Sequence, residues 1–243
     1  HKKSPYGLYA ISNIGSLLAI ITYPFVIEPM LSLQQQGIFW SVTFILFCFF
    51  VLFSGGYMLK KSGKTFPLKK AAQSKREKQI TRNQYFLWLF LPAVSSLVLL
   101  AATSKLTQGI APIPFLWLLP LGLYLLSFIL CFSDQKFYHR TANVSLFFAI
   151  LPILLTTIVS PFVMRVSIEL LLYTAFLFSC FMLCHGELYR SRPEPKQLQL
   201  FYLLIALGSV IGGSVVAILG PLFLKGLFWE FYLPLFFNSV VAA

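Results

Sequence analysis

Residues 38–59 read IFWSVTFILFCFFVLFSGGYML and run directly into KKSGKTFPLKKAAQSKREKQITR at 60–82. The first stretch carries no charge along its whole length, and about 20 apolar residues in a helix are what a hydrocarbon layer of roughly 30 Å requires. The second gathers Lys60, Lys61, Lys64, Lys69, Lys70, Lys75, Arg76, Lys78 and Arg82 against the single acid Glu77. An apolar rod that stops in a basic loop is the sign of a membrane span with its cytoplasmic flank. We therefore expect residues 60–84 to form a basic cytoplasmic loop.

Composition extends this reading to the whole chain. Of 243 residues, 58% are hydrophobic, 17% aromatic and 11% charged, with a mean hydropathy of +0.81. That exceeds what a soluble core can hide, so the lipid bilayer is the expected surrounding. Windows of apolar residues predict helices at 6–27, 38–59, 85–104, 114–132, 143–163, 166–184, 198–222 and 229–243. The fold class expected is all-α: a polytopic transmembrane bundle of about eight spans, forming a single transmembrane domain over 1–243.

The formal charge of +12 suggests nucleic acid until the charges are placed. Alternating from the basic loop puts Lys2, Lys3, Lys136, Arg140, Arg190, Arg192 and Lys196 on its side and leaves only Lys105, Arg165 and Lys225 opposite. This one-sidedness is membrane topology, and no nucleic-acid partner is expected. The same basic face suits anionic lipid headgroups or an acidic partner, although a solvated topology signal is the plainer reading. The chain opens on His1 without a signal-peptide pattern, and its last run rises about 22 Å, short of the bilayer core. A partial chain is expected.

Polar chemistry concentrates at 183–193, LCHGELYRSRP, where an apolar run ends. His185, Glu187, Arg190 and Arg192 form the candidate functional cluster. His185 and Glu187 lie about 200° apart around a helix, so they cannot chelate one metal together. Cys180 and Cys184 share a face, which packing explains more simply than a thiolate site. Glu187 and Arg190 make a one-turn pair, the arginines suit a helix carbonyl end, and Pro193 stops the helix. The cluster is thus either an elaborate helix terminus or a surface for coupling to a partner.

Glu28, Glu169 and Glu230 all fall toward the opposite side and compose a candidate outer acidic vestibule for a cationic solute. Snorkelling carboxylates, with Arg165 one turn from Glu169, are the plainer reading. No span carries an ionisable residue at its centre, and no phosphate loop, dinucleotide fingerprint or nucleophile elbow is present in the sequence. Catalytic residues, cofactors and metals are therefore assigned to none of these residues.

Two spans share a pattern. Tyr9 lies six residues before Gly15-Ser16 and Tyr202 six before Gly208-Ser209, and each run then reaches a proline, Pro24 or Pro221. A repeat of six helices would explain it, as would packing alone. Gly208 with Gly212, and Ser209 with Gly213, have the small-xxx-small spacing of close helix contacts. Pro92, Pro120, Pro152 and Pro234 interrupt predicted spans.

Four blocks in order carry a resemblance: SPYGLYAISNIGS at 4–16, YPFVIEP at 23–29, IAPIPFLWLLPL at 110–121 and CHGEL at 184–188. Together they resemble the membrane region of bacterial fused major-facilitator-like/spermidine-synthase-like proteins, with matches running from Pro5 to about Pro221. The resemblance implies a major-facilitator-like bundle in the bacterial inner membrane, joined to a soluble spermidine-synthase-like domain or set among other membrane subunits. It also implies the handling of polyamines or related small solutes. The family pattern carries an acid before the third block, where this chain has Gln108-Gly109, and a double glycine where it has Gly208-Ser209. Any role of that acid does not transfer. The alternative is a non-catalytic subunit or scaffold that docks a partner through its basic cytoplasmic face; a third option is an intramembrane enzyme using His185 and Glu187.

Overall fold

A chain that is apolar for about twenty residues at a time can satisfy its backbone away from water by hydrogen-bonding within each segment as helix. In the computed structural model, the described residues are 6–62, 80–109, 114–159, 166–223 and 229–242, and they contain helices and turns and no strand. The long helices are α1 (Tyr6–Thr22), α3 (Leu33–Ser62), α4 (Arg82–Gly109), α5 (Pro114–Ser133), α6 (Arg140–Val159), α7 (Val166–Arg190), α8 (Leu198–Ser214) and α10 (Trp229–Ala242). The short α2 (Glu28–Met30) and α9 (Gly220–Phe223) extend the ends of α1 and α8.

Five stretches are long and apolar enough to cross a membrane: Tyr6–Met30, Leu33–Lys60, Arg82–Leu106, Ser167–Arg190 and Pro195–Ile218. Leu118–Ser133 and Arg140–Leu155 are shorter apolar helices. Length and composition therefore qualify five of the eight expected spans among the described residues. Most of the basic loop, 63–79, lies outside the described residues.

Prolines bend this plan without breaking it. Pro92, Pro120 and Pro152 sit inside α4, α5 and α6, each of which continues past its proline. In α4 the Ser95 hydroxyl donates to the Pro92 carbonyl at 3.1 Å, which satisfies a buried hydroxyl within its own helix. The runs that share the Tyr and Gly-Ser pattern each widen into a π turn, Tyr23–Ile27 after α1 and Val215–Leu219 after α8. Pro24 falls within the first of these, where its missing donor loosens the α-helical ladder.

The chain divides into two compact units, the described parts of His1–Leu18 with Ile80–Ala243, and of Ala19–Gln79. Within the smaller unit, the Tyr23 hydroxyl donates to Gln36 Oε1 at 3.0 Å, and Gln36 Nε2 donates to the Leu31 carbonyl at 2.9 Å. These bonds tie the turn between α2 and α3. Large side chains on every face of α3, from Ile38 to Leu59, are exposed. A helix apolar all round needs lipid or another apolar surface about it.

In the larger unit α7 is the central post. From Phe181 to Gly186 every residue is buried, because α4, α5, α6 and α10 all pack against it. Phe147, Phe176, Leu177, Cys180 and Leu183 fill one side of this core, and Trp88, Phe128, Phe132, Leu188 and Phe201 the other. Helix α8 lies along α4, and small residues decide how closely. A Cβ added at Gly208 or Gly212 would overlap the Leu89 or Ala93 carbonyl oxygen, whereas one at Gly213 would meet Leu100 Cδ1 at an ordinary 3.5 Å. Of the two small-residue motifs, Gly208 and Gly212 form the seam.

Candidate functional site

Helix α7 continues to Arg190, past the expected end of the run at Cys184, and this separates the members of the polar cluster. His185 lies inside the helix and is fully buried; Glu187, two positions on, emerges at the surface. The spacing of about 200° therefore sends the two side chains into different environments.

Around His185 the surroundings are aromatic and hydroxylic. Its ring stacks on Phe128 with centroids 3.7 Å apart and meets the Tyr124 edge at 4.8 Å. Nδ1 lies 2.7 Å from Ser127 Oγ, and that hydroxyl donates to the Tyr124 carbonyl at 2.8 Å. With its one proton so used, Ser127 accepts from Nδ1–H, which leaves Nε2 as the bare lone pair of a neutral ring. Nε2 has no partner among the described residues. The Tyr124 hydroxyl meets the side chains of Ser96, Ser95 and Ser209, so polar contacts link α8 through α4 and α5 to α7.

This pair is not a nucleophile with its base. A histidine that activates a serine must accept that serine's proton, and here the proton points at a backbone carbonyl. The bonding instead holds an imidazole in the middle of a packed bundle.

The charged cluster is built around Glu187. Its Oε1 accepts from the Tyr138 hydroxyl at 2.8 Å, from Arg190 Nη1 at 3.2 Å, and lies 3.6 Å from Arg140 Nε. Burial first, and then the bond to Glu187, push the Tyr138 phenol well above its usual range, so it stays a proton donor at neutral pH. Gly186 is the residue that lets Tyr138 in. The Tyr138 ring occupies the space a Cβ at position 186 would take. Gly186→Ala is therefore expected to displace the ring, cut the Tyr138 to Glu187 bond and cost about 1–3 kcal/mol, less the few tenths to 1 kcal/mol alanine gains in a helix. Thermal unfolding in detergent measures it, with Gly7→Ala as the control because nothing lies within 4 Å of a Cβ there.

Arg192 belongs to a third set of contacts. Its guanidinium sits 3.8 Å from the Tyr189 ring centroid and 5.7 Å from that of Tyr6, and its Nη1 donates to the Tyr189 carbonyl at 2.8 Å. The turn that follows is clamped from two sides. The Tyr6 hydroxyl donates to the Pro193 carbonyl, and Trp88 Nε1 donates to the Ser191 carbonyl at 2.9 Å. These two bonds satisfy carbonyls of the turn just beyond the helix, and Arg192 caps that of Tyr189, one of the last helical carbonyls without an intrahelical partner.

The four cluster residues are thus not one site. Glu187 and Arg190 touch, Arg192 holds the turn beside them, and His185 lies apart in the core. Sequence reasoning missed Tyr6, Trp88, Ser127, Tyr138 and Arg140 as their partners. For Tyr138 and Arg140 a signal existed, because the sidedness of the charges already put the connection at 133–142 with residues 190–196.

Glu28 and Glu169 are exposed, each within its own unit. Glu230 lies in α10, with its side chain outside the described part, and Arg165, the expected partner of Glu169, is also outside the described residues. Among the described residues no group of three His, Cys, Asp or Glu side chains gathers as metal ligands. Cys131, Cys180 and Cys184 are buried and unbridged; Cys184 Sγ lies 3.5 Å from Asn238 Oδ1 and Cys131 Sγ 3.7 Å from Met182 Sδ.

What fold and site define, among the described residues, is a helical protein with five helices long and apolar enough to cross a membrane and a charged cluster at one helix end. Comparison with protein-family models, with curated proteins and with solved structures returns no match.

Proposed function

We propose that this chain is the membrane module of a spermidine-synthase-like protein and that it docks a soluble domain or partner subunit at its basic end. In this reading the bundle is major-facilitator-like, crosses a bacterial inner membrane eight times and keeps its basic loops in the cytoplasm. The observation that carries docking is the clamped turn at 190–193. Bonds from Tyr6 and Trp88 hold its backbone, so Arg190 presents its charge from a rigid support. A partner meeting such a surface loses less ordering entropy than one meeting a loose loop.

Two measurements test it. A photo-crosslinking residue at position 190, in membranes of cells that make the whole protein, is expected to trap a soluble protein domain, and labelling of lipid alone would remove the docking reading. A reporter inserted within 63–79 is expected to read cytoplasmic, and a signal from the other compartment would overturn the orientation.

A polyamine transporter is the second reading, favoured by the π turns in the two runs that share the Tyr and Gly-Ser pattern. Against it, Tyr9 and Tyr202 stack with centroids 4.9 Å apart, closing α1 on α8 where a solute path would open. Saturable spermidine uptake into proteoliposomes, lost on neutralising Glu28, Glu169 and Glu230 together, would establish transport and displace docking.

A further inference from the structure

The geometry points to a built site for one acidic phospholipid, seated in the groove between α4, the end of α7 and α10. This cavity of about 510 Å³ has aromatic and aliphatic walls from Phe86, Leu87, Phe90 and Val240, with Arg140, Glu187 and Arg190 along its polar side. Its volume is that of a ligand pocket, and its chemistry is divided in two. The walls open outward: Phe86 is 60% exposed and Val240 54%. Phe86 falls in the stretch Arg82–Leu106, which is apolar enough to cross a membrane, so acyl chains are the matter that reaches these walls.

The polar side carries surplus positive charge. Among the described residues that line it Glu187 is the one acid, and its bonds use Arg140 Nε and Arg190 Nη1. Arg140 Nη2 lies 3.5 Å from the Ala242 carbonyl, a weak contact. Arg140 Nη1 and Arg190 Nη2 therefore remain to donate to a phosphate. Arg82 stands one turn before Phe86, on the face of α4 that lines the groove, and is exposed. Glu187 thus acts as a spacer that holds two guanidinium groups side by side.

An occupant must satisfy both halves. A soluble anion would leave the aromatic walls uncovered, and a neutral lipid would leave uncompensated the positive charge by which Arg140 and Arg190 exceed Glu187. A phospholipid with a net negative headgroup fits both, with its phosphate on Arg140 and Arg190 and one acyl chain along Phe86, Phe90 and Val240. This inference requires only that the chain lies in a membrane; it stands whether the module docks or transports.

The test uses the full chain in mixed micelles of phosphatidylglycerol and phosphatidylcholine, with retained lipid counted by native mass spectrometry. One phosphatidylglycerol is expected to stay bound per chain, in preference to phosphatidylcholine. The double variant Arg140→Gln/Arg190→Gln should cut its retention about tenfold or more. Val240→Trp, which fills the apolar half and leaves every charge in place, should cut it as well, and a monodisperse gel-filtration peak with a cooperative unfolding transition shows that either variant has folded. Soluble glycerophosphoglycerol should not compete. Equal retention of both lipids, loss in the charge variant but not in Val240→Trp, or displacement by the soluble headgroup would each overturn the proposal.

Discussion

Gly212→Leu is expected to cost about 3 kcal/mol or more and to leave little folded monomer in mild detergent, because a side chain there has nowhere to go. The space that a Cβ would take is already held by the Ala93 carbonyl oxygen, and at Gly208 by that of Leu89. A side chain can rotate away from an intruder; a backbone carbonyl cannot, so α8 would have to lift from α4. That movement would also disturb Phe201, which meets Trp88 at 5.3 Å and Tyr6 at 6.1 Å. Gly213→Ala is the control, since its added methyl makes only ordinary contact. Thermal unfolding and gel filtration in detergent give the readout, and equal behaviour of the two variants would sink the seam.

His185→Ala carries the second large effect, expected at about 2–4 kcal/mol from the cavity left in a closed core. Loss of the stack on Phe128 adds about 0.5–1.5 kcal/mol where the pair is well formed. Ser127→Ala is milder, about 1–3 kcal/mol, because it leaves the buried Nδ1–H without an acceptor. In a double-mutant cycle the two changes should couple by about 1 kcal/mol, since removing the ring also removes the donor that Ser127 leaves stranded. His185→Phe separates packing from chemistry. It keeps an aromatic face for Phe128 and deletes both ring nitrogens, so it should restore most of the stability lost in His185→Ala. If His185→Ala leaves the unfolding midpoint where it was, the packing account fails.

The helices were legible because apolar length is a property of a segment by itself. Helices begin at Pro114, Val166, Leu198 and Trp229, each at the head of an apolar run. Their ends are another matter. Glu187, Leu188, Tyr189 and Arg190 remain helical because Tyr138 and Arg140 receive the carboxylate and the core receives Leu188 and Tyr189. Those partners come from a connection about 50 residues upstream, which a local window does not see. The glycine seam was half legible: spacing marked two motifs, and only the course of α4 decides between them. His185 was the least legible, since a histidine beside Glu187, Arg190 and Arg192 looks like part of a polar surface until the helix phase turns it inward.

The central place of α7 also bears on how the molecule is made. Ser95, Ser96 and Trp88 belong to α4, and Ser127 and Tyr124 to α5, yet the groups that complete them, Ser209, the Ser191 carbonyl and His185, are synthesised later. A chain emerging at about 5–20 residues per second therefore leaves α4 and α5 waiting for several seconds with part of their polar complement unmet. During that interval they need shelter, from the insertion machinery or from each other; α7 brings His185, and the wait ends only when the turn at Ser191 and then Ser209 on α8 follow it.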